Sequence, residues 1–392
     1  MREDQIFLLP GPTPVPPQSL RSMSSPMINH RGPAFKEILE EVTPQIQKIM
    51  ETKNDVFILT ASGTGGMEAA VANFTSPGDK VLVASIGSFG ERFKKICERY
   101  GTVVDFIDFP WGTAIDPEVI REKLNKDKKR EIKAIFLQHN ETSTGVINDL
   151  KAVSEARGEH PALLIVDAVS GLAAGELKTD AWNLDVVISG SQKAFMIPPG
   201  LAMISVSQRA WEVAQKSTNP VFYFDLKQYK EFLSKGQTPW TPAISLFYAL
   251  KESLQLMLEE GLDNILKRHR LHRDMVRAGV KAIGLELLAS DEVASPAVTA
   301  VIAPEGIQVN AIRSLMQNKY NVALAGGQGK LKNKIFRIGH LGYVKPTDIF
   351  AALASLELVL TELGLKVDLG VGVRAAQRVL LERSGENAHT SQ

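Results

Sequence analysis

The chain has 392 residues, 44% of them hydrophobic and 23% charged, with a net charge of +1. That length supports a large core shared between two domains, and the balanced charge leaves no electrostatic footprint for nucleic acid, so small molecules are the expected ligands. One cysteine, Cys97, excludes an internal disulfide, and no apolar run approaches the roughly 18 residues of a membrane span. With no signal-peptide pattern in residues 1–5, a soluble cytoplasmic protein is expected.

Residues 8–17 (LLPGPTPVPP) read as an extended, proline-stiffened arm rather than a helix or strand, and Gly11 lets its backbone approach a ligand closely. Asn29-His30-Arg31-Gly32-Pro33 is a polar loop, open to solvent or to a site, before an amphipathic helix led by Phe35, Ile38, Leu39 and Val42. Apolar runs then recur at 56–59, 81–84, 103–106, 134–137, 163–166 and 186–188, separated by helical stretches. One of these stretches holds Cys97 at helical spacing, as a structural thiol. Buried strands joined by helices of this length predict a mostly parallel α/β sheet, with ligands at the carboxyl ends of its strands. Residues 201–206 follow the sixth run almost directly and are expected to pair antiparallel.

Those strand ends carry the chemistry. Ser62-Gly63-Thr64-Gly65-Gly66 opens a helix after the first run, and small residues there expose backbone N–H groups to an anion. The spacing matches neither a dinucleotide fingerprint nor a P-loop. Phe89, flanked by glycines after the second run, is a core residue or a stacking platform for a flat ligand. The fourth run leads into Gln138-His139-Asn140-Glu141-Thr142-Ser143-Thr144-Gly145, where His139 is a base or a satisfied strand-end histidine. Asp167 ends the fifth run, and a buried carboxylate needs a partner. Ser189-Gly190-Ser191-Gln192-Lys193-Ala194 closes the sixth, and a poorly solvated lysine there has a lowered pKa and a neutral amine fit for a Schiff base. Pyridoxal phosphate offers Asp167 its partner, a protonated ring nitrogen that makes the ring an electron sink.

No Cys or His cluster has metal-ligand spacing, and His269 and His272 lie on a basic helix, most simply a solvated face. Gly236-Gln237-Thr238-Pro239-Trp240-Thr241-Pro242 reads as two proline turns before a long helical region. From about residue 285 short strands alternate with helices, as in a smaller α+β domain. Arg337 is the charged residue inside one of its apolar strands and needs an anionic partner; residues 383–392 read as a polar, frayed end.

The pairing of D-A-V-S at Asp167 with S-G-S-Q-K-A at Lys193 resembles the fold-type I pyridoxal-phosphate enzymes. It looks most like the class V aminotransferases of the alanine–glyoxylate and serine–pyruvate group. The resemblance runs from Leu8 to about Leu363 and implies an arm (1–20), a large cofactor-binding domain (21–260), a connecting helix (261–284), a small domain (285–365) and a tail (366–392). It further implies Lys193 and Asp167 as catalytic residues. Thr64, Gly65 and Gly66 become the phosphate cradle, Phe89 the stacking ring, Thr142 a hydroxyl donor to the cofactor ring and Gln192 a phosphate anchor. Arg337 is the clamp for the substrate carboxylate, with the segment around Gly11 crossing the site mouth. Thr238 and Thr241 reach the neighbouring subunit's phosphate, so a homodimer with shared sites is expected. Many relatives have Trp in place of Phe89, and some have Tyr in place of Thr238. The activity implied moves an amino group from a small amino acid such as alanine or serine to glyoxylate or pyruvate. The alternatives are a phosphonate- or aspartate-specific aminotransferase and a non-catalytic hydrogenase-associated subunit. A cysteine desulfurase would need a mobile thiol that Cys97 does not offer.

Overall fold

The computed structural model describes residues 5–389. In chain order its strands are β1 (Ile6–Leu8), β2 (Asp55–Thr60), β3 (Lys80–Ser85), β4 (Val103–Asp108), β5 (Ile132–Gln138), β6 (Asn140–Glu141), β7 (Val146–Ile147), β8 (Leu163–Asp167), β9 (Val186–Gly190), β10 (Leu201–Val206), β11 (Val298–Ile302), β12 (Val322–Gly326) and β13 (Ile335–Gly339). The first four helices are α1 (Pro17–Ser22), α2 (Pro33–Ile49), α3 (Gly63–Phe74) and α4 (Ser88–Arg99).

Seven strands form the main sheet in the order β2, β10, β9, β8, β5, β3, β4. Neighbours pair parallel except β10, which runs antiparallel to both β9 and β2, as its short connection predicts. Leu82, Ile135, Leu164 and Val187 pack on one face, and Val83, Phe136, Ile165 and Ile188 on the other. With both faces covered, the strands read as unbroken apolar runs. The sheet is the mostly parallel α/β sheet expected, and Cys97 lies buried against it in α4.

A second sheet, ordered β1, β12, β13, β11, packs with Val276 and Leu353 around Leu8, Val301, Phe336 and Ile338. Here the arm departs from expectation. Ile6–Leu8 is a strand, paired parallel with β12, because proline begins only at Pro10 and the residues before it keep their backbone donors. Residues 17–22 then form α1, with proline in its first turn.

Two further expectations are corrected. His269 and His272 are buried, not solvated: in the helix Leu262–Ala282 they continue the apolar stripe of Ile265, Val276 and Val280, while Lys267 and Arg270 take the exposed side. The segment 366–392, read as a tail, carries the helix Val371–His389, and 390–392 lie outside the described residues. Val373, Ala376 and Leu380 recur at helical spacing and pack on the second sheet's core. The buried Glu357 carboxylate accepts from the N–H groups of Gly370 and Gly372 at that helix's start. Among the described residues no helix is long and apolar enough to cross a membrane. None of their His, Cys, Asp and Glu side chains form a group of three or more that could hold a metal.

Candidate active site

Asp167, the last residue of β8, is buried, and its Oδ1 accepts from Val169 N–H at 2.9 Å. Burial pushes the carboxyl up to about 6, while that bond and the charges of Arg92 and Lys193 oppose the rise. Lys193 follows β9 and is 8% exposed. Its Nζ donates to the Pro10 carbonyl at 2.6 Å. Burial lowers the amine to about 8; Asp167 resists this, and Arg337 and Arg92 reinforce it. A lysine so placed gives up its proton more readily than an exposed one. Gly11 lies directly over it, at φ +142, where a Cβ would collide with Nζ. The arm expected to cross the site therefore touches its central amine.

The glycine turn opens α3 as expected. Cβ atoms would fall 2.7 Å from Val169 at Gly63, 2.7 Å from Ala61 at Gly65 and 2.6 Å from Ile188 at Gly66. Glycine here lets the helix start press against the sheet, and the first-turn N–H groups, lacking intrahelical acceptors, can hold an anion. Thr64 Oγ1 accepts from Arg92 Nη1 at 2.8 Å. Gln192 Oε1 is buried without a hydrogen-bond partner, and so are both side-chain polar atoms of Gln138, the register neighbour of Asp167. Unpaired buried amides of this kind call for a polar ligand or water. The residues thus fit pyridoxal phosphate: an anion cradle, an amine, a buried carboxylate and unspent amide groups.

Phe89 is half-buried in the first turn of α4, with the Arg92 guanidinium 4.5 Å from its ring centroid. The Thr142 hydroxyl donates to Ser170 Oγ at 2.7 Å, and its carbonyl accepts from Arg337 Nη1 at 2.9 Å. Arg337 is 5% exposed, and its Nε donates to the Gly326 carbonyl at 2.9 Å. Burial lowers it to about 10, resisted by Glu141. It forms no ion pair among the described residues, so its two carbonyl partners leave the guanidinium without a carboxylate in direct contact. His139 is fully buried beneath the loop after Asp167 and lowered by burial to about 4, a neutral core histidine.

Thr238 and Thr241 are not joined to these groups within the chain. Thr238 Oγ1 donates to the Trp240 carbonyl at 2.7 Å, and Thr241 is exposed. Arg31 braces this loop, donating to the carbonyls of Thr238 at 2.6 Å and Pro239 at 2.9 Å. His30 makes no hydrogen bond among the described residues.

Sequence reasoning missed two residues. Glu141 is fully buried, and its Oε2 accepts from the N–H groups of Phe89 at 3.0 Å and Gly90 at 3.3 Å, while Ser143 donates to its Oε1. Burial pushes it up to about 7 against those bonds. Arg92 is the second. The only signal for Glu141 was an acid among small polar residues directly after a strand; for Arg92 there was none.

The model of the class V aminotransferase family matches residues 17–338. The L-aspartate–glyoxylate aminotransferase of Paracoccus denitrificans is 38% identical over 96% of each chain. The small subunit of a soluble hydrogenase from Synechococcus sp. is 48% identical, over 97% of this chain and 99% of its own. Among solved structures, the ureidoglycine–glyoxylate aminotransferase of Bacillus subtilis superposes with a TM-score of 0.91 at 35% identity, covering 97% of this chain and 99% of its own. An anion cradle, a depressed lysine and a buried aspartate thus sit on a fold-type I scaffold, and the chain belongs to the class V aminotransferases, enzymes that depend on pyridoxal phosphate.

Proposed function

We propose that this protein moves an amino group from a small amino acid, such as alanine or serine, to glyoxylate or pyruvate. The observation that carries this reading is Arg337, a buried guanidinium in the same site as Lys193 and without an ion-pair partner among the described residues. A guanidinium meets a carboxylate with two parallel bonds, which orients an α-amino or α-keto acid toward the amine. Glyoxylate also appears in the names of two of the relatives above.

Pyridoxal phosphate, when bound, supplies a carbonyl to combine with the amine and a ring that takes up the electron pair left when the α-proton departs. The α3 turn, with Thr64, Gly65 and Gly66, holds its phosphate, Gln192 adds an amide and Phe89 covers the ring. Asp167 keeps the ring nitrogen protonated. Lys193, with the Pro10 carbonyl orienting its amine, would take the α-proton at Nζ and return it. Reduction with borohydride tests this: the cofactor should become fixed on the peptide bearing Lys193, and label elsewhere would overturn the assignment. A panel of amino donors against glyoxylate and pyruvate then ranks the substrates.

The working unit is a cytoplasmic homodimer in which Thr238 and Thr241 reach the partner's phosphate site. In support, Phe222 is 71% exposed and Tyr223 42%, both packed on Trp240 beside this loop. Such an aromatic patch suits a second copy of the chain. Mixing two inactive variants, Lys193→Ala and a double Thr238→Val, Thr241→Val chain, should restore activity if sites are shared.

A second reading, a non-catalytic hydrogenase-associated role, has the 48% identical relative in its favour. The retained lysine, aspartate and arginine speak for catalysis. A purified protein without yellow colour after incubation with cofactor would favour the second reading.

A further inference from the structure

Arg92 is one turn beyond Phe89 on α4, and one guanidinium joins two parts of the site that come from different helices. Its Nη1 donates to Thr64 Oγ1 in the first turn of α3 at 2.8 Å, and its carbon lies 4.5 Å from the Phe89 ring centroid. A threonine hydroxyl has one proton to give and two lone pairs. Accepting from Arg92 turns that proton outward, toward whatever anion the α3 turn holds. The stacked guanidinium restrains the ring on the same helix, whose start is itself held by Glu141 through the N–H groups of Phe89 and Gly90.

We propose that Arg92 is a positioning residue that locks the stacking ring to the anion cradle, so that a flat, phosphate-bearing cofactor is gripped at both ends as one unit. The proposal rests on the cofactor reading above and adds a residue to it. Arg92 needs no contact with the cofactor; it acts through Thr64 and Phe89. It also bears on the site's charges: with Arg337, it reinforces the lowering of the Lys193 amine that burial begins, against Asp167. The same charge opposes the rise of the Asp167 carboxyl.

Two measurements on the cofactor-free protein test this without turnover. Equilibrium dialysis gives the dissociation constant of pyridoxal phosphate, and peptide mass spectrometry of amine acylation against pH gives the midpoint for Lys193. Arg92→Met should weaken cofactor retention at least 10-fold and raise the Lys193 midpoint. Arg92→Lys, which keeps the charge but not the planar fork, should hold the midpoint near wild type and still weaken retention several-fold. Combining Arg92→Met with Thr64→Val should cost less than the sum of the two, because both break one link. Retention within twofold of wild type in Arg92→Met with an unmoved midpoint, or strictly additive losses, would overturn the proposal. Should Arg92→Met fail to fold, retention within twofold in Arg92→Lys overturns it alone. A wild-type protein that bound no cofactor would bring down the cofactor reading and this one with it, whereas wild-type binding with indifferent variants brings down only this one.

Discussion

Asp167, Lys193, Glu141 and Arg337 gather at the ends of β5, β8 and β9 and beside β12, while His269, His272 and His340 gather between the helix Leu262–Ala282 and the end of β13. All seven are buried and ionisable, yet the two groups are built differently. The histidines are spent on the fold. His269 Nδ1 meets the Ile265 carbonyl, its Nε2 accepts from Gly342 N–H at 2.9 Å, and His340 bridges the Pro296 carbonyl and the Thr299 hydroxyl. Nδ1 of His272 is buried without a hydrogen-bond partner. Burial lowers all three, His272 to about 4 and His340 to about 3, so they stay neutral. At the strand ends, burial acts on charges of both signs whose hydrogen bonds leave capacity over. A buried titratable group therefore marks a site only when its neighbours leave it something to bind.

The largest expected effect is at Lys193. Lys193→Ala should retain cofactor through the cradle and Asp167 but lose turnover by at least roughly 1,000-fold, the scale of a lost acid–base group; steady-state kinetics and absorbance check both halves. Arg337→Lys comes next. Losing the two-bond clamp costs about 3 kcal/mol, so kcat/KM for the amino donor should fall on the order of 100-fold while cofactor retention holds. Unfolding of that variant with near-normal residual efficiency would make Arg337 a structural residue.

The histidine side should answer in stability instead. His269→Leu strands the buried Gly342 N–H, so urea unfolding should show a loss of about 1–3 kcal/mol with kcat changed only a few-fold. The last effect is in the pH dependence, and its sign separates the two groups. A histidine lowered in the fold binds its proton later than in the unfolded chain, so the unfolded state takes up more protons and stability falls as pH drops from about 6.5 toward 4. His272→Gln should flatten that fall by up to about 3 kcal/mol. Glu141, raised to about 7, works the other way: the fold takes its proton first and gains stability as pH falls from about 7 toward the ordinary carboxyl range. Glu141→Gln should therefore steepen the acid loss, and parallel slopes in the two variants would dissolve the distinction.

Much of this protein was legible before folding, because the information was local. Apolar runs of strand length alternating with helical stretches dictate a parallel sheet, and a lysine or aspartate closing such a run has nowhere to go but the sheet's carboxyl edge. The glycine turn at 62–66 and the charged residue inside the strand at Arg337 were readable for the same reason. Tertiary structure alone decided the rest. Pairing of Ile6–Leu8 with β12 joins residues more than 300 positions apart, and an edge strand of three residues has no period to detect. The burial of His269 depends on a backbone N–H at Gly342, and a stripe containing histidine and flanked by arginine reads as polar until that partner is in place. Glu141 and Arg92 gain their meaning from α4 and α3, elements brought beside them only when the sheet closes its core. The chain's own order places the ionisable groups at the strand ends; the packing of distant elements selects which polar groups keep unspent hydrogen-bonding capacity and which are satisfied within the fold.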